Sequence, residues 1–256
     1  MLARYIFLIV LSNVIFSNII LDSLEVPLPL NEEFVYKTKF KSFNIGKTKI
    51  SILYNDDNYE NSAIITIEST SNRFIDMIYK LRHFSTIIVD RIDYSLQAIT
   101  QKLQQGEYID SYSAVIDNSN KQIFYYNTKK NSVNKKQDSK IINIGDKVYD
   151  PFGIVYHLRN LKLEIGSKYK FLSYSKKKTR EITLSSINTE YIESAYYKGM
   201  CYMVVPYVEN NKYLLKNQGE MKIWYTVEEP HIPIKIEQKM KHGIMELILE
   251  DYIVKK

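Results

Sequence analysis

The sequence has little cysteine, glycine, proline or tryptophan. Its 256 residues include one Cys, 8 Gly, 6 Pro and one Trp. A single Cys excludes an internal disulfide and any zinc or iron–sulfur site built from several cysteines. The small number of Gly and Pro excludes collagen-like and linker-like chains. Hydrophobic residues make up 45% of the chain, which indicates a folded protein with a substantial core.

The net charge of +6 is modest for this length, and much of it comes from two lysine-rich stretches, 129–140 and 176–178. Neither stretch reads as a basic helix, and neither is interleaved with aromatic residues. Those are the usual signatures of nucleic-acid binding. We therefore predict that the protein has no nucleic-acid partner.

Residues 1–23 read as an export signal. A short basic start, an apolar core over 5–11 and small polar residues follow one another in the usual order. The apolar run is shorter than the roughly 20 residues of a membrane-spanning helix, and no later segment offers one. We predict a signal that is cleaved after Ser17 or Ser23, export to the periplasm of a Gram-negative bacterium, and one β-rich domain over 24–256. An uncleaved anchor and a buried segment are the alternatives.

Alternation of apolar and polar residues dominates the remaining chain. Phe34, Tyr36, Thr38 and Phe40 lie on one face of a predicted strand, and the other face is largely lysine. About a dozen segments of this kind predict a mainly β, antiparallel, single sheet with one or two short helices.

The connections in this sheet follow from turn residues and polar stretches. Gly46 is predicted as a turn glycine between the first two strands, and 128–140 as a solvated loop. The pattern also predicts separate strands over 180–187, 190–197 and 212–216.

Two segments are candidates for the helices. The apolar spacing in 73–83 favours a short helix, and a long strand over 75–92 is the alternative. The clearer helix begins at Pro151, because Asp150 can cap its first backbone N–H groups and proline fits the first helical position. Val155, Leu158 and Leu161 would then face the core.

Four residues are candidates for ligand binding: Arg159, Trp224, Tyr156 and Asp150. Arg159 offers a planar donor fork to an anionic head group at a pocket mouth, or it pairs with a neighbouring strand. Trp224 either stacks on a ligand or packs in the fold. Asp150 alternatively serves only as a helix cap. Tyrosine has an apolar body and a polar tip, which suits the rim of a cavity.

The sequence predicts no catalytic residue, no metal and no cofactor. The run Gly46-Lys47-Thr48 ends like a phosphate-binding loop, but Lys41 stands where that loop requires glycine. The four His form no close pair, and Cys201 lies in an apolar strand where we expect it to be buried. No nucleophile elbow of the G-x-S-x-G type is present.

Three stretches in order along the chain resemble a family of exported bacterial proteins known as domain of unknown function 3108. They are Tyr36-Lys37 with 43–50, then 150–159 with Gly166 and Tyr169, and then 219–225 with 232–234 and Gly243. The resemblance implies export, a β-rich fold and an unassigned role. By analogy with lipoprotein-carrier half-barrels, it also implies a strongly curved sheet or half-barrel wrapped around a helix.

Three functions are compatible with this sequence. Non-catalytic binding of an apolar or lipid-like ligand, which we favour, predicts an apolar concave face. Envelope assembly through contacts with envelope proteins predicts a filled core and an exposed aromatic patch. A hydrolase of unknown type predicts titratable residues that converge in a cleft.

Overall fold

The structure is a computed structural model that describes residues 29, 31–54, 61–127, 138–207, 221–240 and 243–255. The predicted export signal, the predicted strand 212–216 and most of the predicted loop 128–140 lie outside these residues. The described residues contain fourteen strands: β1 (Asn31–Phe40), β2 (Phe43–Tyr54), β3 (Ser62–Ser71), β4 (Leu81–Asp90), β5 (Leu96–Gln105), β6 (Tyr108–Asp117), β7 (Gln122–Asn127), β8 (Asp138–Asn143), β9 (Lys168–Ser175), β10 (Lys178–Glu193), β11 (Lys198–Tyr207), β12 (Met221–Thr226), β13 (Pro233–Met240) and β14 (Gly243–Val254).

Two short helices, α1 (Arg73–Asp76) and α2 (Pro151–His157), accompany the strands, and a 3₁₀ turn over Leu158–Asn160 continues α2. In the described part of the chain, no helix is long and apolar enough to cross a bilayer. The predicted mainly β class with short helices is therefore confirmed.

All fourteen strands pair antiparallel in one sheet with the order β8-β7-β6-β5-β4-β3-β2-β1-β14-β13-β12-β11-β10-β9. The strand β1 therefore lies near the middle of the sheet, and the chain moves outward from it strand by strand to the β8 edge and returns from the β9 edge. The two edge strands are consecutive along the chain. The segment 144–167, which contains α2, links them.

The sheet curves until its two edges approach each other. Lys176, directly after β9, places its Nζ 2.5 Å from Oδ2 of Asp110 on β6. Between the edges, Tyr149 forms a parallel bridge to Ser173 on β9, and the Val148 carbonyl accepts a hydrogen bond from Leu96 N on β5 at 2.8 Å. The fourteen described strands do not close on one another, so the fold is an open barrel, as the resemblance implied.

The helix α2 lies on the concave side of this sheet. Its N-cap is Asp150, whose Oδ1 accepts a hydrogen bond from Phe152 N at 2.8 Å, and Pro151 occupies the first helical position. Val155, Leu158 and Leu161 are buried, as predicted. The Val155 carbonyl accepts a hydrogen bond from the hydroxyl of Tyr225 on β12 at 2.8 Å. The helix therefore occupies the interior of the barrel.

The predicted turn at Gly46 is wrong. The β1–β2 turn lies at Lys41 and Ser42, which both adopt positive φ, at 48° and 68°, and Gly46 lies inside β2. A Cβ at position 46 would lie 2.0 Å from the carbonyl oxygen of Thr70 on β3. This glycine is required by the close approach of two backbones, which sequence inspection cannot distinguish from a turn.

Two other boundaries also differ from the prediction. Segment 73–83 is neither one helix nor one long strand, because α1 ends at Asp76 and β4 begins at Leu81. Residues 180–187 and 190–197 do not form two strands. Residues 180–193 belong to the single long β10, whose bulge between Ser186 and Asn188 interrupts the alternation, and 194–197 form the connection to β11.

Candidate functional site

A buried ion pair joins the middle of the sheet to the segment that links its edges. Arg159 is 0% exposed and Glu32, on β1, is 1% exposed. The guanidinium binds the carboxylate with both of its terminal nitrogens, Nη1 to Oε2 at 2.6 Å and Nη2 to Oε1 at 2.9 Å. Its Nε donates to the carbonyl of His231 at 2.9 Å. Arg159 therefore pairs with a neighbouring strand, which is the structural alternative that the sequence left open.

Tyrosines satisfy the remaining acceptor positions of the Glu32 carboxylate. The hydroxyls of Tyr156 and Tyr252 donate to its two oxygens. Arg159 also lies over the ring of Tyr156, with 4.8 Å from Cζ to the ring centroid. Burial raises the pKa of Tyr156 well above its ordinary value, so the phenol stays protonated and donates. A buried ion pair persists only when its partners are satisfied in this way.

Asp150 lies apart from this cluster, at the other end of α2. Burial raises the pKa of its carboxyl from 3.8 to about 7, against the opposing effect of hydrogen bonds from the N–H groups of Phe152 and Gly153. The carboxyl group that caps α2 therefore destabilises the folded state when it is ionised near neutral pH.

Trp224 lies on the face of β12 that points away from α2. Its neighbours Ile223 and Tyr225 point toward the helix. The Trp224 indole Nε1 donates to Glu190 Oε2 at 2.9 Å, and Lys235 Nζ lies 4.9 Å from its ring centroid. The structure thus brings Tyr156 and Arg159 together but separates them from Trp224 and Asp150. A ligand role for these four residues stays a prediction.

The concave interior is filled unevenly around α2. On the β1–β3 side, only about 20 Å³ remains between the helix and the strands. On the β9–β13 side, a pocket of about 360 Å³ remains. Its lining is largely apolar and comes from α2 and five strands: Pro151, Ile154, Val155, Ser173, Ser175, Lys178, Arg180, Ile182, Leu184, Pro206, Met221, Ile223 and Gln238.

The pocket is apolar inside and cationic at its mouth. Leu184 and Ile182 line its inner part, and Arg180 and Lys178 follow on the same face of β10 toward the β9–β10 turn. No acidic residue, His or Cys occurs among the described residues that line it. Across the described part of the chain, no cluster of His, Cys, Asp and Glu has a geometry suited to a metal ion. Cys201 is buried, as predicted.

The comparison with protein families identifies the chain. A family model described as "Protein of unknown function (DUF3108)" matches residues 35–250. The chain belongs to this family. No curated protein matches this DUF3108 chain.

A solved structure shares the fold of the DUF3108 chain. It is described as a beta-barrel-like protein of domain of unknown function DUF1849 from Brucella abortus. The two chains are 8% identical, with a TM-score of 0.56, and the match covers 89% of this chain and 99% of the other. At this identity the similarity concerns the fold alone.

Glu32 and the role of the residues that line the pocket were not predicted from the sequence. A signal for Glu32 was present, because it shares the strand parity of Phe34 and Tyr36 and so points into the core. A charged residue at such a position requires a buried partner. The pocket residues have no such signal, because Ile182 or Met221 looks like any other core residue.

The ion pair yields a prediction about stability. Glu32→Gln should lower the free energy of unfolding by about 3–5 kcal/mol, because it leaves the Arg159 charge buried without a counter-ion. The combined Glu32→Leu and Arg159→Met variant should recover most of this loss, because neither charge then remains. Urea denaturation measures both effects.

Glu164→Gln is the control, because it removes one member of the exposed Lys162–Glu164 pair and should leave stability nearly unchanged. A combined variant that is as destabilised as Glu32→Gln, or more so, would contradict the coupling.

Asp150 yields a prediction about pH. Its raised pKa means that the folded state holds the proton more tightly than the unfolded state. The resulting stabilisation is complete below pH 3.8 and is lost as the pH rises through about 7. Asp150→Asn keeps the helix cap but removes the titration. The variant should therefore gain stability over the wild type across this pH range, by about 1.4 kcal/mol per unit of pKa shift.

Denaturation at a series of pH values tests this difference, and Asp146→Asn, at an exposed position of the same linking segment, is the control. Because His157 titrates in both proteins, it cancels from the comparison. A difference that does not change with pH would contradict the assignment to Asp150.

Proposed function

We propose that this protein binds a single-chain, lipid-like molecule in the pocket between α2 and strands β9–β13. The observation that carries the proposal is the unfilled apolar space of about 360 Å³ on the concave side of the sheet. Protein interiors are normally packed without voids of this size. A largely apolar pocket with a few polar groups at one end is the usual form of a small-molecule site.

The size of the pocket favours a ligand with one chain. Pockets for small molecules span about 300–1,000 Å³, so this one lies near the lower limit. Its walls come from a helix on one side and strands on the other. A narrow space of this kind suits an extended acyl chain that lies along the strands.

The charges at the mouth favour an acidic head group. Lys178 and Arg180 lie within one strand on the interior face, and both are exposed. Ser173, Ser175 and Gln238 add neutral hydrogen-bonding groups to the lining. An arginine beside a lysine suits a carboxylate or phosphate, because charge-assisted hydrogen bonds are stronger than neutral ones.

We also propose that the protein is exported. The support is the order of basic, apolar and small polar residues over 1–23. N-terminal sequencing of protein recovered from the periplasmic fraction should begin after Ser17 or Ser23. Recovery of the protein only from the cytoplasm, with Met1 or Leu2 at its start, would contradict export.

The ligand proposal predicts the behaviour of two matched probes, dodecanoate and dodecanol. Both should bind the wild type in calorimetric titrations, and dodecanoate should bind more tightly. Met221→Trp fills the pocket and should weaken both by at least about tenfold. Combined Lys178→Gln and Arg180→Gln should weaken only dodecanoate, also by about tenfold.

Met200→Trp is the matched control for bulk, because Met200 is exposed on β11 and does not line the pocket. If neither probe binds the wild type, or if Met221→Trp leaves both affinities unchanged, the proposal fails. If both probes bind but the charge variant weakens them equally, the pocket still binds lipid-like molecules. The proposed preference for an acidic head group is then wrong.

A further inference from the structure

One end of the barrel carries the mouth of the pocket and several turns. Because neighbouring strands are antiparallel, the β1–β2, β3–β4, β5–β6 and β9–β10 turns all lie at this end. So do Ser175 at the end of β9, Lys178 at the start of β10 and Met221 at the start of β12, which line the pocket. We call this the mouth end.

Large apolar side chains project from the mouth end into solvent. In the β3–β4 connection, Phe74 is 78% exposed, Met77 77% and Ile78 86%, and Phe43 after the β1–β2 turn is 75% exposed. The helical spacing in 73–83 thus belongs to a loop around α1, from which Phe74, Met77 and Ile78 point into solvent. Isolated exposed apolar residues are common, but a group on one projecting loop is not.

Hydrogen bonds hold these side chains in one surface. Asn72 N donates to the Ile45 carbonyl and Asn72 Nδ2 to the Asn44 carbonyl, both at 2.9 Å. These bonds fix the α1 loop beside Phe43. On the other side, Gly106 N donates to the Lys80 carbonyl at 2.8 Å. The loop is therefore a positioned feature of the fold between the β1–β2 and β5–β6 turns.

The charges around this apolar surface are mainly positive. Among the described residues, the exposed cations of the mouth end include Lys41, Arg73, Lys80, Lys178 and Arg180. Of the two acidic residues in the described turns there, Asp76 is paired with Arg82, which leaves Glu107. The described turns at the opposite end differ, since they carry Glu228 and Glu229 against Arg91 and Lys121, and their Asp93 is paired with Lys147. The two ends of the barrel are therefore electrostatically different.

We propose that the mouth end docks on the surface of an anionic lipid bilayer, with Phe74, Met77 and Ile78 inserted among the head groups. Projecting apolar side chains beside lysines form the usual pattern of peripheral membrane contacts. The free energy of inserting the apolar side chains and that of attraction to anionic lipids add together. The geometry also places the mouth of the pocket against the membrane, so that a lipid-like ligand would enter without crossing water. The docking itself rests on the exposed surface and does not require the proposed ligand.

Co-sedimentation with vesicles tests the proposal on the full chain. One set of vesicles contains phosphatidylcholine alone, and the other contains phosphatidylcholine with phosphatidylglycerol. The wild type should bind the anionic vesicles preferentially. Phe74→Ser with Ile78→Ser should lower its partition coefficient by at least about tenfold. Lys41→Gln with Lys80→Gln should lower it by a similar factor on anionic vesicles only.

The matched control is Ile92→Ser with Ile165→Ser. Ile92 is 79% exposed and Ile165 63%, and both lie at the opposite end of the barrel. All variants share the same first residues, so any binding by the apolar segment 5–11 is common to them. Because the changed side chains are exposed, circular dichroism melting should be the same for all.

If the wild type binds, any of three results would overturn the proposal: equal loss in the control and the Phe74 variant, binding that ignores phosphatidylglycerol, or no difference between the wild type and the Phe74 variant. If the wild type stays in the supernatant with both vesicles, the surface is not a membrane contact. A protein partner then becomes the hypothesis for the exposed patch.

Discussion

The buried ion pair between Glu32 and Arg159 fixes the position of α2 relative to the sheet. Glu32 lies on β1, near the middle of the strand order, and Arg159 follows α2 in the segment that links the two edges. One bidentate ion pair therefore holds the linking segment against the central strands of the curved sheet. Hydrophobic packing alone would bury α2 but would not select its position as strictly. Arg159 donates to Glu32 and to the His231 carbonyl, and two tyrosine hydroxyls donate to Glu32. These directional bonds form together in only one position of the linking segment.

The pocket follows from where this anchor places the helix. The ion pair draws α2 toward β1, where Phe34, Tyr36 and Ile52 leave almost no space. On the other side of the helix, β9 contacts α2, and the unfilled space lies between the helix and the interior face of β9–β13. The apolar space beside Ile182, Leu184 and Ile223 is the result. Site and scaffold are thus related, because the helix beside the ion pair also forms one wall of the pocket.

The sequence predicted the class of the fold well and the site poorly, for different physical reasons. Alternation along a strand, the Asp150 cap and Pro151 are local signals, and the structure confirms what they predicted. Gly46 was misread because a turn and a close backbone approach both favour glycine. The partner of Arg159 lies 127 residues away, and the pocket is a space between elements. Neither is encoded in local spacing, although the strand parity of Glu32 already indicated a buried charge.

The central claim is that the space beside α2 holds a lipid-like molecule in the cell. Mass spectrometry of the protein purified from its own cells without detergent tests this claim most directly, first under native conditions and then after organic extraction. We expect a stoichiometric mass increment that extraction releases as a single-chain acidic lipid. We also expect that the Met221→Trp protein lacks this increment. A native mass equal to that of the polypeptide, with no lipid in the extract, would contradict the account.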